Sequence, residues 1–128
     1  MTRQDDRYRD ELLETWENTY KKGQLTFWLL LALRDESRYV SDIQAFIDTR
    51  TEGTITCEDQ SVYRALRKFY DLEIVDYELR DGNKGPERKY YSLTPIGRDL
   101  LGKFIERNVK ILYNRSLVDM LFQKRSRT

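Results

Sequence analysis

The sequence predicts a mainly α-helical protein carrying one small β-hairpin. Two observations carry this. Apolar residues recur at helical spacing along most of the 128 residues, and in one place, Ile74 to Leu93, the period changes to two. A third observation, surplus apolar surface near both ends, predicts helices that flank the compact part of the chain.

Residues 5–22 open with a helical stripe of Tyr8, Leu12, Leu13, Trp16 and Tyr20, ended by Gly23. Residues 24–34 form a second helix, apolar nearly all round and therefore central. After the polar break Asp35–Ser37, a third helix runs to about Asp48 with Val40, Ile43, Phe46 and Ile47 on one face. TRTEGTIT, residues 49–56, is turn-like, with Gly53 as the breaker. The fourth helix spans about 58–71, and Thr56 with Asp59 resembles a capping box. IVDYELR alternates as a strand, 81–86 form a turn, and ERKYYSL returns as the second strand. Thr94 and Pro95 then supply an N-cap and a proline in the first helical turn. One long helix is expected from there to about Gln123, roughly 43 Å. The expected organisation is an N-terminal helix (1–23), a compact unit (24–93), a long C-terminal helix (94–123) and a basic tail (124–128).

Composition excludes several functions. Histidine is absent and cysteine occurs once. The commonest general base, the commonest transition-metal ligand and Cys-rich zinc sites are therefore missing. No nucleophile–base pair and no phosphate-cradling glycine loop is present, so neither enzymatic activity nor a cofactor nor a metal is expected, although carboxylate chemistry stays formally open. The longest apolar run, FWLLLAL, is far short of the roughly 20 residues a membrane span needs. The charged N-terminus is unlike a signal peptide, and a soluble, cytoplasmic protein is expected. Charged residues make up 35% of the chain but nearly cancel, 23 basic against 22 acidic, so only their distribution is informative.

That distribution points to nucleic acid. In QSVYRALRKF, residues 60–69, Val62, Ala65, Leu66 and Phe69 share one face, whereas Gln60, Ser61, Arg64, Arg67 and Lys68 share the other. Tyr63 flanks the basic face and either packs against the hairpin or bonds a phosphate. The hairpin holds a second cluster: Arg80, Asn83, Lys84, Arg88 and Lys89. Three helices followed by a hairpin outline a winged helix-turn-helix, in which the third helix enters the major groove and the wing reaches the flanking backbone or minor groove. Arg64, Arg67 and Lys68 then meet phosphates or guanine edges, while Gln60 and Ser61 read bases. The bland alternative for both clusters is a solvated surface.

SVYRALRKF followed by YDLEIVDYE, and GPERKYYSLTPIGRDLL after it, resemble the signature blocks of PadR-type transcriptional regulators, in the same order and spacing, over about residues 24–105. The resemblance implies a homodimer that binds pseudo-palindromic operator DNA. It also implies dimerisation through the terminal helices, here through Leu12, Trp16, Tyr20, Phe104, Ile111, Val118 and Phe122. Within the family it extends to haloarchaeal regulators responsive to reactive oxygen species, implying an archaeal source and an oxidative-stress role. Cys57 is the candidate redox residue, although Glu58 and Asp59 beside it disfavour a thiolate and the chain has no resolving cysteine. Glu58 and Asp59 open the fourth helix where the family carries small residues, and Arg38 stands where it often has glycine. The final helix has no Trp, so the flat-ligand mode of multidrug-binding relatives does not carry over, and no small-molecule ligand is named. A second hypothesis, of another class, is a winged-helix interaction module that docks a partner through its terminal helices.

Overall fold

The structure, a computed structural model, describes residues 2–82 and 85–123. Asn83, Lys84 and the basic tail 124–128 lie outside them. The order is α1 (Arg3–Lys22), α2 (Gln24–Ala32), α3 (Val40–Arg50), α4 (Asp59–Asp71), β1 (Val75–Gly82), β2 (Gly85–Leu93) and α5 (Pro95–Phe104). A π turn (Ile105–Val109), a 3-10 turn (Lys110–Tyr113) and α6 (Arg115–Phe122) complete it. The mainly helical architecture with one hairpin is the one the periodicity predicts.

The core forms where α2, α3, α4 and the base of the hairpin converge. Leu29, Leu33, Ile43, Ile47, Val62, Leu66 and Val75 are completely enclosed. Tyr91 and Leu93 from β2 and Leu101 from α5 close it. α2 ends against a side chain from outside itself: Arg38 Nε donates to the Ala32 carbonyl at 2.6 Å, satisfying a carbonyl that the helix leaves open. Arg38 also pairs with Glu36 at 2.9 Å and lies over the Phe46 ring, 4.8 Å from its centroid. Its backbone bridges to Tyr91, which ties the start of α3 to the hairpin.

β1 and β2 pair antiparallel, Val75 with Leu93 through Arg80 with Arg88, with a register shift between Arg80 and Gly82. The strands are longer than expected. Asp81, Gly82, Gly85 and Pro86, assigned to the turn from sequence, belong to them. At the far end, Thr94 caps α5 by accepting from the Gly97 N–H at 3.0 Å, with Pro95 in the first turn, as expected. The Thr94 hydroxyl also lies 2.5 Å from the Glu73 carbonyl oxygen, linking α5 to the chain entering β1.

Two local expectations do not hold. Thr56 and Asp59 form no capping box. Glu58 is the N-cap of α4, without a side-chain bond, and the Asp59 carboxylate accepts from Gln44 Nε2 at 2.6 Å instead. The Gln44 amide on α3 takes the carboxylate that a capping box would have turned to the Thr56 backbone N–H. The C-terminal segment is also not one continuous helix to Gln123. It widens into the π turn, tightens into the 3-10 turn and stops at Asn114, which is extended (φ −68°, ψ 146°). Asn114 explains the restart: its carboxamide donates to the Ile111 carbonyl at 2.7 Å and accepts from the Leu117 N–H at 2.8 Å, closing one helix and capping the next.

No residue of α1 is buried. Trp16 is 72% exposed and Phe122, on α6, is 78% exposed. Among the described residues no helix is long and apolar enough to cross a membrane.

Candidate nucleic-acid interface

α4 presents its residues as the wheel demands. Val62, Leu66 and Phe69 enter the core and Ala65 is half-buried at its edge. Gln60, Arg64, Arg67 and Lys68 are exposed on the opposite side. Gln44 fixes the approach to this helix: besides Asp59, its amide donates to the Cys57 carbonyl at 3.1 Å. Ser61 stands apart from the rest. It is half-buried on the flank facing α1 and α2, in a shallow hollow with Lys21, Leu25 and Cys57.

Tyr63 leaves the opposite flank of α4, toward the hairpin. Burial, and after it the neighbouring Tyr39 phenol, push the Tyr63 hydroxyl pKa up, so Tyr63 stays a neutral donor. Between α4 and the hairpin lies an open cleft of about 550 Å³. It is rich in tyrosine: Tyr39, Tyr63, Tyr70, Tyr77 and Tyr91 all line it. Tyr70 and Tyr77 pack at 5.2 Å between centroids, and Tyr77 and Tyr91 at 5.7 Å. Burial raises the Tyr91 pKa as well, with the Tyr63 and Tyr77 phenols adding to it and Arg67 opposing.

Among the described residues, three hairpin cations, all exposed, lie against tyrosine rings. Arg80 sits over Tyr90 at 4.4 Å, Arg88 over Tyr39 at 4.7 Å and Lys89 over Tyr77 at 4.6 Å. Cation–π contact of this kind keeps the positive charge available while reducing the freedom of a long side chain. Arg80 is further engaged by Glu78, its Nε 2.6 Å from the carboxylate, which makes it the least available of the three. The other two wing residues expected from sequence, Asn83 and Lys84, fall outside the described residues. Tyr39, which no sequence pattern singled out, joins the two clusters: it touches Arg88 and Tyr90 on the hairpin and neighbours Tyr63 on α4.

Cys57 is half-buried, and burial pushes its thiol pKa up. This is opposite to the direction an oxidant-sensing thiolate needs. Among the described residues no group of three or more His, Cys, Asp or Glu side chains is placed to hold a metal.

Three packed helices, an exposed basic face on the third and a hairpin beside it define a winged helix-turn-helix protein. Residues 29–103 match the PadR-like family of transcriptional regulators, and the chain belongs to that family. It is similar to a PadR-like transcription factor from Bacteroides fragilis: 28% identical, covering 84% of this chain and 98% of the other, TM-score 0.61. A PadR family regulator from Eggerthella lenta shares the fold at 20% identity, over 91% and 98% of the two chains, with a TM-score of 0.65. Bacillus subtilis PadR, solved in complex with operator DNA, matches at 21% identity over 66% of this chain and 47% of its own, TM-score 0.61. These relatives are bacterial and lend no support to the haloarchaeal relationship expected from sequence.

Proposed function

We propose that the protein is a homodimeric regulator that binds a pseudo-palindromic operator, with α4 in the major groove and the hairpin on the flanking backbone. The observation that carries this is the exposed face of Gln60, Arg64, Arg67 and Lys68, set beside the ring-held cations Arg88 and Lys89. Arg67 from the first group lines one cleft with Arg88 and Lys89 from the second, and Bacillus subtilis PadR, which shares the fold, was solved on operator DNA. Two-fold symmetry would place the two α4 helices in successive major grooves, about 34–36 Å apart or a multiple of that. The dimer reading rests on the exposed apolar side chains of α1 and of the segment from Phe104 to Phe122, including Leu12, Trp16, Tyr20, Ile111 and Phe122. Nucleoid association follows from DNA binding and has no separate support.

An oxidant as the inducing signal rests only on the sequence resemblance to haloarchaeal regulators. With a raised thiol pKa at Cys57, such a signal would have to act elsewhere.

The test is a fluorescence-anisotropy titration of the upstream DNA of the protein's own gene against a shuffled duplex, across a salt series. Tighter binding to the native fragment, with a steep dependence on salt, is expected. Absence of binding at every salt concentration, together with a stable heteromeric complex, would replace this reading with the interaction-module one.

A further inference from the structure

The first residue of α4 is a carboxylate held in one orientation. Asp59 is exposed at the leading end of the helix, beside Gln60. Its Oδ1 accepts from Gln44 Nε2 at 2.6 Å, and the same nitrogen donates to the Cys57 carbonyl at 3.1 Å. Both partners are oxygens and both hydrogens of the amide nitrogen are used, so the Gln44 carboxamide must face them with its nitrogen. Gln44 itself is half-buried, which limits its freedom to swing away. Among the described residues nothing bonds the second carboxylate oxygen of Asp59, Oδ2.

A carboxylate at this place has two consequences once α4 lies in the major groove. DNA phosphates repel it, so it weakens binding to any duplex. It also meets base edges, because the N-terminal residues of a helix seated there are the ones that reach them. An acceptor in that position suits the amino group of cytosine or adenine and is repelled by the carbonyl oxygen of guanine or thymine.

We propose that Asp59 is a specificity-determining residue, whose Oδ2 accepts from a cytosine or adenine amino group, and that Gln44 is the positioning residue that turns it there. This rests on the DNA-binding function proposed above. A side chain that is repelled by every duplex and rewarded only at the right base raises discrimination from both directions. Gln44 matters because an exposed aspartate is otherwise free to rotate. By occupying Oδ1 it sets which atom is offered to the base.

The test is the anisotropy titration above on the full-length chain. It uses the native fragment, the shuffled duplex, and native fragments with one base pair changed at each half-site position. Melting temperatures control for folding. Asp59→Ala should weaken the native fragment about tenfold, tighten the shuffled duplex, and accept all four base pairs alike at one half-site position. Asp59→Asn should move the preference at that position to guanine or thymine. Gln44 then keeps the carboxamide oxygen and leaves the amide nitrogen, a donor, facing the base. Gln44→Leu should lower the ratio of native to shuffled affinity, and should leave that ratio unchanged when Asp59 is already alanine. Glu58→Ala removes a neighbouring exposed carboxylate that makes no capping bond, and should tighten both duplexes alike. If Asp59→Ala leaves the ratio as it is in the wild type, Asp59 reads no base, and the proposal falls while the DNA-binding function stands. If Gln44→Leu weakens both duplexes equally, or acts as strongly without Asp59, Gln44 only supports the loop before α4 and the pairing is refuted. If the wild type prefers neither duplex, the function proposed above falls and this reading falls with it.

Discussion

Replacing Gly97 with alanine sets two physical effects of opposite sign against each other. Gly97 lies in the first turn of α5. Alanine is the better helix former by about 0.5–1 kcal/mol, so propensity alone predicts stabilisation. Packing predicts the reverse. A Cβ at this position would lie 2.1 Å from the Ile74 carbonyl oxygen and 3.2 Å from its carbon. Relief requires the two backbones to separate by nearly an ångström, and neither end is free to move. The Ile74 carbonyl accepts from the Thr94 N–H at 3.1 Å, and the Thr94 hydroxyl lies 3.0 Å from the same oxygen. That hydroxyl in turn caps the helix at Gly97. Overpacking a tight contact costs about 1–3 kcal/mol, and the upper end applies here because the obstruction is backbone. Each weakened hydrogen bond adds about 1 kcal/mol. With the propensity gain subtracted, Gly97→Ala should destabilise by about 2–3 kcal/mol and lower the melting temperature by on the order of 10 °C. Urea denaturation followed by circular dichroism measures it. Gly102→Ala is the internal control: it is the same change on the same helix, with nothing within 4 Å of the new Cβ. It should be neutral or slightly stabilising. A Gly97→Ala protein as stable as the wild type would refute the close approach of α5 to the entry of β1.

Arg64→Ala and Lys68→Ala should each weaken operator binding and lower its salt slope by about 0.9, measured by anisotropy; wild-type binding by both would remove α4 from the interface. Trp16→Asp should move the protein toward monomer in analytical ultracentrifugation without unfolding it, since Trp16 is exposed within one chain; an unchanged dimer would place the interface elsewhere. The Cys57 thiol, its pKa raised by burial, should alkylate with a midpoint more alkaline than that of a free thiol. The neutral thiol is favoured in the fold, so its contribution to stability is complete below the unfolded-state pKa and is lost as pH rises through the folded one. Stability relative to Cys57→Ser should accordingly fall only on the alkaline side, and a midpoint near neutrality would contradict the burial.

Most elements were legible because their determinants are local. Helical spacing placed Val62, Leu66 and Phe69 in the core, alternation placed Val75 and Leu93 at the hairpin base, and Thr94-Pro95 marked the start of α5. The misplaced features are those in which a distant group took over a local one. Asp59 looked like a capping partner for Thr56 until Gln44, on another helix, took its carboxylate. The C-terminal segment kept its apolar spacing past residue 113, so periodicity ran straight through a break that the Asn114 carboxamide makes on both sides. Arg38 stood out only as a departure from the family pattern, and its role, capping a helix six residues behind it, was not legible from spacing.

The sequence by itself determined that this chain folds as helices around one hairpin, that α4 has a basic face turned from its apolar one, and that a chain without histidine and with one cysteine is poorly equipped for zinc or thiol–imidazole chemistry. Periodicity and composition carry that information, since burial follows the 3.6 and 2.0 residue repeats whatever the neighbours are. Only the tertiary structure decided which side chains stand together. It brought Tyr39, Tyr63 and Arg88 to one cleft from three separate elements, and it moved Ser61 to another flank. It seated the hairpin cations on tyrosine rings. The physical reason is that a ring and a cation meet across 49 residues of chain, as Tyr39 and Arg88 do, only once the core has set the angle between hairpin and helices.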